Sequence, residues 1–367
     1  MNIQKSTQQY EQWLLGYTPL IEEDLAQKHT LMASGPFPFL RGTFYRWSQR
    51  WPKVCPDLAQ APAVLSVGDL HVENFGTWRD QEGRLAWGVN DFDEAAHLPY
   101  THDLVRLTGS AHLAIQAGKL RLGSADACDA VLSGYSDGLK AGGRAFVLAE
   151  DHDWLRRRAL GSLSDPVTFW QKFGDLPSLA TGSVPESALA ALQSALPASL
   201  SGEPGREVPP MDLKHRAAGV GSLGRPRYVA ILEWESGHIA REAKAMAPSA
   251  ALWAHGHTGP AEILYQGIVD RSVRCRDPFV RLQGHWLVRR LAPDCSRIEI
   301  MDLPGEWDAM RLLHAMGWET ANIHLGSSEA IPAVHRDMKQ RPIHWLHEAA
   351  EKMVLDTQSD WRDWKKD

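Results

Sequence analysis

Apolar and polar positions follow a helical period through the first half of the chain and a period of two in part of the second. Between residues 5 and 30, Tyr10, Trp13, Leu14 and Tyr17 recur at helical spacing until Pro19 interrupts, and Ile21 and Leu25 resume it. Ser34-Gly35-Pro36 opens a turn-rich entry into a stretch where aromatic residues bracket Arg41 and Arg46. Two short apolar runs follow, Ala63 to Val67 and Leu85 to Val89, with a polar turn at Arg79 to Arg84 between them. Each reads as a strand ending in a cluster of carboxylates and amides. Tyr100 to Lys119 carries a helical stripe of Leu104, Leu107, Ala111 and Ile115, which turns Asp103 and Arg106 outward or toward the acidic cluster. A largely helical tract continues to about Leu200, broken at Gly123, Gly142, Pro166, Pro177 and Pro185.

Ser199 to Pro210, rich in Ser, Gly and Pro, reads as a linker, and beyond it the period changes. Asp212 to Ala217, Arg227 to Trp234 and His238 to Ala245 read as strands, the last two joined by a turn at Glu235 to Gly237. The pattern then predicts a helix over Pro260 to Val273, a strand over His285 to Leu291, a helix over Glu306 to Leu325 and an amphipathic helix over Trp345 to Trp364. The expected fold class is α+β in two lobes. Residues 1–200 form a helical lobe, 208–292 a small β-rich lobe, and 293–367 return as helices to the first.

Composition narrows the class. With 367 residues and 44% hydrophobic content, the chain exceeds one compact core. A formal charge of −6 argues against a general nucleic-acid binder, although Arg156-Arg157-Arg158 makes a local basic patch. The four cysteines show no CxxC pairing, which points to reduced thiols. Met1 to Tyr10 is polar and no apolar run approaches the roughly 20 residues of a membrane span, so the expected setting is cytoplasmic with no membrane partner. His255 and His257 precede a helix with no further ligands nearby in sequence, and read as a loop.

Two stretches carry chemistry. Gly219-Val220-Gly221-Ser222-Leu223-Gly224 is followed by Arg225-Pro226 and a β-branched run, so it joins two strands and does not open a dinucleotide-binding helix. A glycine hairpin followed one strand later by a lysine is the arrangement of protein kinases. The backbone at Gly219, Gly221, Ser222 and Gly224 would cover phosphates, Lys244 would contact them, Glu262 on the next helix would pair with Lys244, and Arg241 competes for the same task. Arg41 could meet a phosphate or tie down a loop. In the earlier stretch, Asp69 followed five residues later by Asn74 has catalytic-loop spacing. Asp69 would act as base with His71 beside it, and Asn74, Asp91 and Asp93 would hold Mg2+. The implied cofactors are Mg2+ and ATP or another nucleotide triphosphate. The other partner is a small-molecule or protein acceptor that the sequence does not name.

Gly68-Asp69-Leu70-His71-Val72-Glu73-Asn74 and Asn90-Asp91-Phe92-Asp93 resemble the GDxHxxN and DFD-type motifs of the aminoglycoside phosphotransferase branch of the protein-kinase-like superfamily. With Phe37-Pro38-Phe39-Leu40-Arg41-Gly42 and the glycine stretch, the chain resembles the uncharacterised bacterial family called domain of unknown function 2252. The resemblance implies a two-lobed kinase-like fold. In kinases the glycine loop and lysine precede the catalytic loop, whereas here they follow it, so the expected fold is circularly permuted. Glu306 to Leu325 would then be the helix preceding the catalytic loop in space, and Trp286 to Leu291 the hinge contacting adenine. Such a site requires Lys244 and Asp91 within about 12 Å of each other. Where kinase-like loops carry a histidine just ahead of the motif, Ser66 and Val67 stand here. Three rivals use the same residues: a nucleotide-binding pseudokinase, an AMP transferase, and a metallophosphoesterase, whose GDxxD and GNH blocks do not occur.

Overall fold

A computed structural model describes residues 1–149, 151–161, 163–197, 200, 210–295 and 306–366. Most of the expected linker at 199–210 lies outside the described residues. The architecture is mixed α+β: a helix-rich body, two small sheets that present the acidic stretch, and a five-stranded antiparallel sheet.

Helices α1 (Ile3–Leu14) and α2 (Glu22–Ala33) form a hairpin across the Pro19 break, and the Asn2 side chain caps α1 by accepting from the Lys5 N–H. The turn-rich entry is helical: α3 (Pro36–Gly42) starts on its proline, whose missing N–H costs nothing at that position, and α4 (Phe44–Val54) follows. The two apolar runs are strands but belong to different sheets. β1 (Ala63–Ser66) pairs with β4 (Ala96–Pro99), while β2 (Phe75–Arg79) pairs with β3 (Leu85–Val89), which also pairs with β5 (Phe146–Val147). The loops 67–74 and 90–95 therefore emerge side by side. Helix α5 (Tyr100–Gln116) passes behind them through the core, buried from Tyr100 to Ala114.

After α6 (Ser124–Ala141), α7 (Asp153–Gly161), α8 (Pro166–Gly174) and α9 (Glu186–Ser194), the sheet strands are β6 (Asp212–His215), β7 (Arg227–Trp234), β8 (Gly237–Ala245), β9 (Arg281–Gln283) and β10 (Trp286–Leu291), in spatial order β6-β7-β8-β10-β9. At the β7–β8 hairpin the left-handed conformation falls on Glu235 (φ 49°) and Ser236 (φ 63°), and Gly237 already pairs with Trp234. The helix expected from Pro260 to Val273 is shorter: α10 (Ala250–Ala254) and α11 (Tyr265–Arg271) flank a coil containing Glu262. Strand β10 is paired on both sides over Trp286 to Val288, and among the described residues Arg289 to Leu291 pair on one side, which leaves the other as the edge available for the hinge role expected of this segment.

Helix α12 (Glu306–His324) packs along α6, followed by α13 (Ile331–Gln340) and α14 (Trp345–Trp364). Two arginines of α4 fasten α14: Arg46 bonds both carboxylate oxygens of Asp360, at 2.7 and 2.9 Å, and Arg50 bonds Asp356. Cys55 and Cys128 are buried free thiols, whereas Cys275 and Cys295 are half-buried. No helix among the described residues is long and apolar enough to cross a membrane.

Candidate functional site

One face of α5 holds the loop that carries Asp69. Asp103 accepts from the N–H groups of Val67 (2.8 Å) and Gly68 (3.0 Å), and Ser110 accepts from the N–H of Val72 (3.0 Å). Between them Arg106 grips the Asp69 carboxylate at Oδ1, with Nε at 2.7 Å, and donates to the Leu40 carbonyl. Positions 103, 106 and 110 lie at helical spacing, so a single helix face fixes the loop. Arg106 is fully buried and stacked on Trp47 and Phe44, which corrects the outward option for it and for Asp103. Gly68 has φ 82°, and a Cβ there would collide with the Glu94 carbonyl; only glycine permits the two acidic loops to approach so closely. Asn74 ties those loops by donating from Nδ2 to the carbonyls of Asp69 (3.1 Å) and Asp91 (3.2 Å). Behind the loop, His324 Nε2 lies 3.0 Å from Asp103, so a histidine stands there through space although Ser66 and Val67 precede the motif in sequence.

The second half of the site arrives from the five-stranded sheet. Lys244 Nζ lies 2.5 Å from Asp93 Oδ1 and 3.6 Å from Asp91 Oδ1, joining residues 151 positions apart and well inside the 12 Å limit. Just after the glycine turn, Arg225 reaches Glu94 at 3.2 Å and Asp93 at 3.7 Å. The turn itself, a 3-10 segment at Val220–Ser222, lies directly over the catalytic-type loop. A Cβ on Gly221 would stand 3.4 Å from Asp69 Oδ2 and 3.2 Å from the Arg41 carbonyl. Arg225 and the glycine turn line a cavity of about 40 Å³ with Asp69, His71, Asn74, Asp91 and Asp93, while Lys244 reaches the two aspartates without lining it. It has room for little more than water, and any larger ligand would require the turn to lift.

Burial sets the ionisation. It pushes the Asp69 carboxyl up to about 6 against the opposing pull of Arg106, and Glu94 up to about 7 against Arg225 and the Ala250 N–H. Asp91 and Asp93 compete for one ammonium. Burial and then the charge of Asp91 raise Asp93, whereas at Asp91 burial is outweighed by Lys244, the hydrogen bonds of Asp93 and the charge of Arg289 acting together, and the carboxyl is held low.

Three further residues expected at the site stand as follows. Glu262 is exposed in coil, and the carboxylates on Lys244 are Asp91 and Asp93. Arg241 stands three positions from Lys244 on β8, hence on the opposite face, where it bonds the Ala195 carbonyl and stacks on Phe279, and it does not line the cavity. Arg41 is bonded to Glu73 at 2.5 Å, the loop-tying alternative, while still lining the cavity. Sequence reading held Asp103 and Arg106 toward the acidic cluster as one of two options and gave no site role to His324, Arg225 and Lys28. For Lys28 a signal existed: Asp24, Lys28 and Met32 share the buried face of α2, where a lysine at an apolar position calls for a partner.

The donor set suits a hard cation. Asp93 Oδ2 is buried without a hydrogen-bond donor among the described residues, Asp91 is half-exposed beside it, and the Asn74 amide donates to the Asp91 carbonyl. Among the described residues, no three of His, Cys, Asp and Glu converge on one point. A larger cavity of about 630 Å³ opens between α6, α7 and α12, lined by Phe146, Trp154, Trp307, Trp318 and Arg311, and none of the expected site residues faces it.

Comparison with known proteins returned no match among curated proteins and none among solved structures. Residues 20–160 match the family described as "Uncharacterized protein conserved in bacteria (DUF2252)", a span that holds Arg41, Asp69, Asn74, Asp91 and Asp93 and ends before the glycine turn and Lys244.

Proposed function

We propose that this chain is an ATP- and magnesium-dependent phosphotransferase acting on a small-molecule or peptide hydroxyl. The observation that carries the reading is the meeting of Lys244 with Asp91 and Asp93 beside a glycine turn that lies on Asp69. A glycine turn between the first two strands of a sheet, with a lysine on the third, matches the kinase placement of phosphate-covering loop and lysine. The permuted order also has support: the segment closing α12 touches β1, with the Leu65 N–H donating to Ser327 Oγ at 2.8 Å, so the helix that ends beside the catalytic-type loop comes from late in the chain.

Arg106 holds one Asp69 oxygen and leaves Oδ2 facing the cavity. A carboxyl raised to about 6 is ionised at neutral pH yet more basic than an ordinary aspartate, which suits taking a hydroxyl proton. Asn74, Asp91 and Asp93 would hold magnesium, which would supply charge neutralisation to the phosphates. Lys244 would exchange part of its contact with Asp93 for a phosphate oxygen, and the glycine backbone would close over the phosphates. AMP transfer would use the same groups. A nucleotide-binding module without turnover is a second reading, favoured by the two-nitrogen grip of Arg106 on Asp69.

The test is Mg·ATP titration combined with a turnover assay. Asp91→Ala is expected to weaken magnesium-dependent nucleotide binding by more than ~10-fold. Asp69→Asn should retain binding and lose turnover by ~100-fold or more. Nucleotide affinity unchanged in Asp91→Ala would overturn the metal assignment, and equal turnover in Asp69→Asn the catalytic one.

A further inference from the structure

Three lysines are buried among the described residues, and their surroundings differ. Lys214 is satisfied three times over, by the Leu176 carbonyl (2.6 Å), Ser178 Oγ (3.0 Å) and Asp212 Oδ2 (3.0 Å). Lys244 sits on two carboxylates. Lys28, 4% exposed on α2, has one neutral acceptor, the Gly221 carbonyl at 3.3 Å, and among the described residues no carboxylate lies within 4.0 Å of it. An ammonium has three donors, and burying it without an anion is costly. Burial and then Arg225 pull its pKa down to about 8. Lys28 also lines the same cavity as Asp69, Asn74 and Asp91.

We propose that Lys28 is a second phosphate-contacting lysine, delivered to the nucleotide site by the N-terminal helical hairpin α1–α2. This rests on the nucleotide-site reading above and extends the site to an element outside both motifs. Lys244 approaches the phosphates from the carboxylate side, and Lys28 approaches from the glycine turn. When the turn lifts to admit a polyphosphate, Lys28 exchanges the Gly221 carbonyl for a phosphate oxygen and gains the anion its burial lacks. The other charged groups facing the cavity are already paired, Arg41 with Glu73 and Arg225 with Glu94 and Asp93, which leaves Lys28 as the cation with the most to gain.

The experiment uses the full chain with three probes: magnesium tripolyphosphate, Mg·ATP and adenosine. Lys28→Met deletes the charge at similar volume. Lys28→Gln deletes the charge but can still donate to the Gly221 carbonyl, so it separates phosphate binding from merely pinning the turn. Both are expected to weaken tripolyphosphate and Mg·ATP by at least ~10-fold with adenosine unchanged, and Lys28→Arg to recover most of the loss. Lys53→Met, on the exposed side of α4, should bind as wild type. Thermal melts establish that each variant is folded, and Lys28→Gln carries the test if Lys28→Met does not fold. Mg·ATP affinity in Lys28→Gln within threefold of wild type, or tighter, overturns the proposal while the nucleotide site stands, provided Asp91→Ala still weakens binding. A wild-type chain that binds neither tripolyphosphate nor Mg·ATP overturns both.

Discussion

Glu242 and Lys244 project from the same face of β8, two positions apart, into charge clusters of opposite kind. Glu242 is fully buried, and its two oxygens accept from three guanidiniums: Arg216 at 2.6 Å, Arg289 at 2.7 Å and Arg227 at 3.0 Å. Burial opposes its charge, yet Arg227, Arg289 and Arg216 together hold its pKa well below the usual carboxylate range. Around Lys244 the balance is reversed: Asp91, Asp93 and Glu94 share two cations, Lys244 and Arg225, one oxygen of Asp93 has no hydrogen-bond donor among the described residues, and a cavity opens beside them. The first cluster is closed, with every oxygen of its carboxylate answered. The second is open, with charge left over for a ligand. A buried ion pair says little about function by itself; the unanswered atoms and the space next to them do.

The comparison breaks most directly by mutation at Glu242. Glu242→Ala strands three guanidiniums in the sheet and is expected to cost about 3–5 kcal/mol in denaturant unfolding. Asp91→Ala, removing a half-exposed member of the open cluster, should change stability by less than about 1 kcal/mol. Similar losses for both would mean that the two clusters do the same structural job.

Glu319 sharpens the comparison, since among the described residues it is buried with neutral donors alone, the Val89 N–H at 3.3 Å and Asn322 Nδ2 at 2.9 Å. Burial pushes it from 4.5 up to about 7, against the pull of Arg274. The folded chain thus keeps a proton that the unfolded chain has released, and stability falls as pH rises from about 4.5 to about 7, then stays level. The decline from this group is on the order of 3 kcal/mol. Glu319→Gln should flatten that part of the melting profile between pH 5 and pH 8, and an unchanged profile would show that Glu319 ionises freely.

The smallest effect is expected at the rim. Arg50 and Asp356 are 32% and 18% exposed. Arg50→Ala should cost no more than about 1 kcal/mol. A loss matching that of Glu242→Ala would remove burial as the deciding variable.

Much of the local structure was legible. Strands β7 and β8 and the core helix α5 follow from strong periodicity, and Pro19 separates α1 from α2 as its ring and missing N–H require. The placement of Arg241 away from Lys244 was also within reach, because an offset of three along a strand reverses the face. Glu262 failed for another reason: the coil before Tyr265 replaces the first turn of the expected helix, and helix boundaries are set by competing caps and tertiary contacts. The grip on Asp69 was legible only as one of two options for Arg106, which reaches it across 37 positions only after α5 has packed against the loop.

By itself the sequence determined the α+β character, the positions of the hairpins and the two polar stretches with Asp69, Asn74 and Asp91 in one and the glycines in the other. These depend on side-chain period and turn chemistry, which act over a few residues. Only the tertiary structure decided that Lys244 meets Asp91 and Asp93, that Arg106 grips Asp69, and that Lys28 of the N-terminal hairpin joins the same cavity. Charges pair according to which faces are buried together, and that is fixed by packing between elements far apart in the chain, not by their neighbours along it.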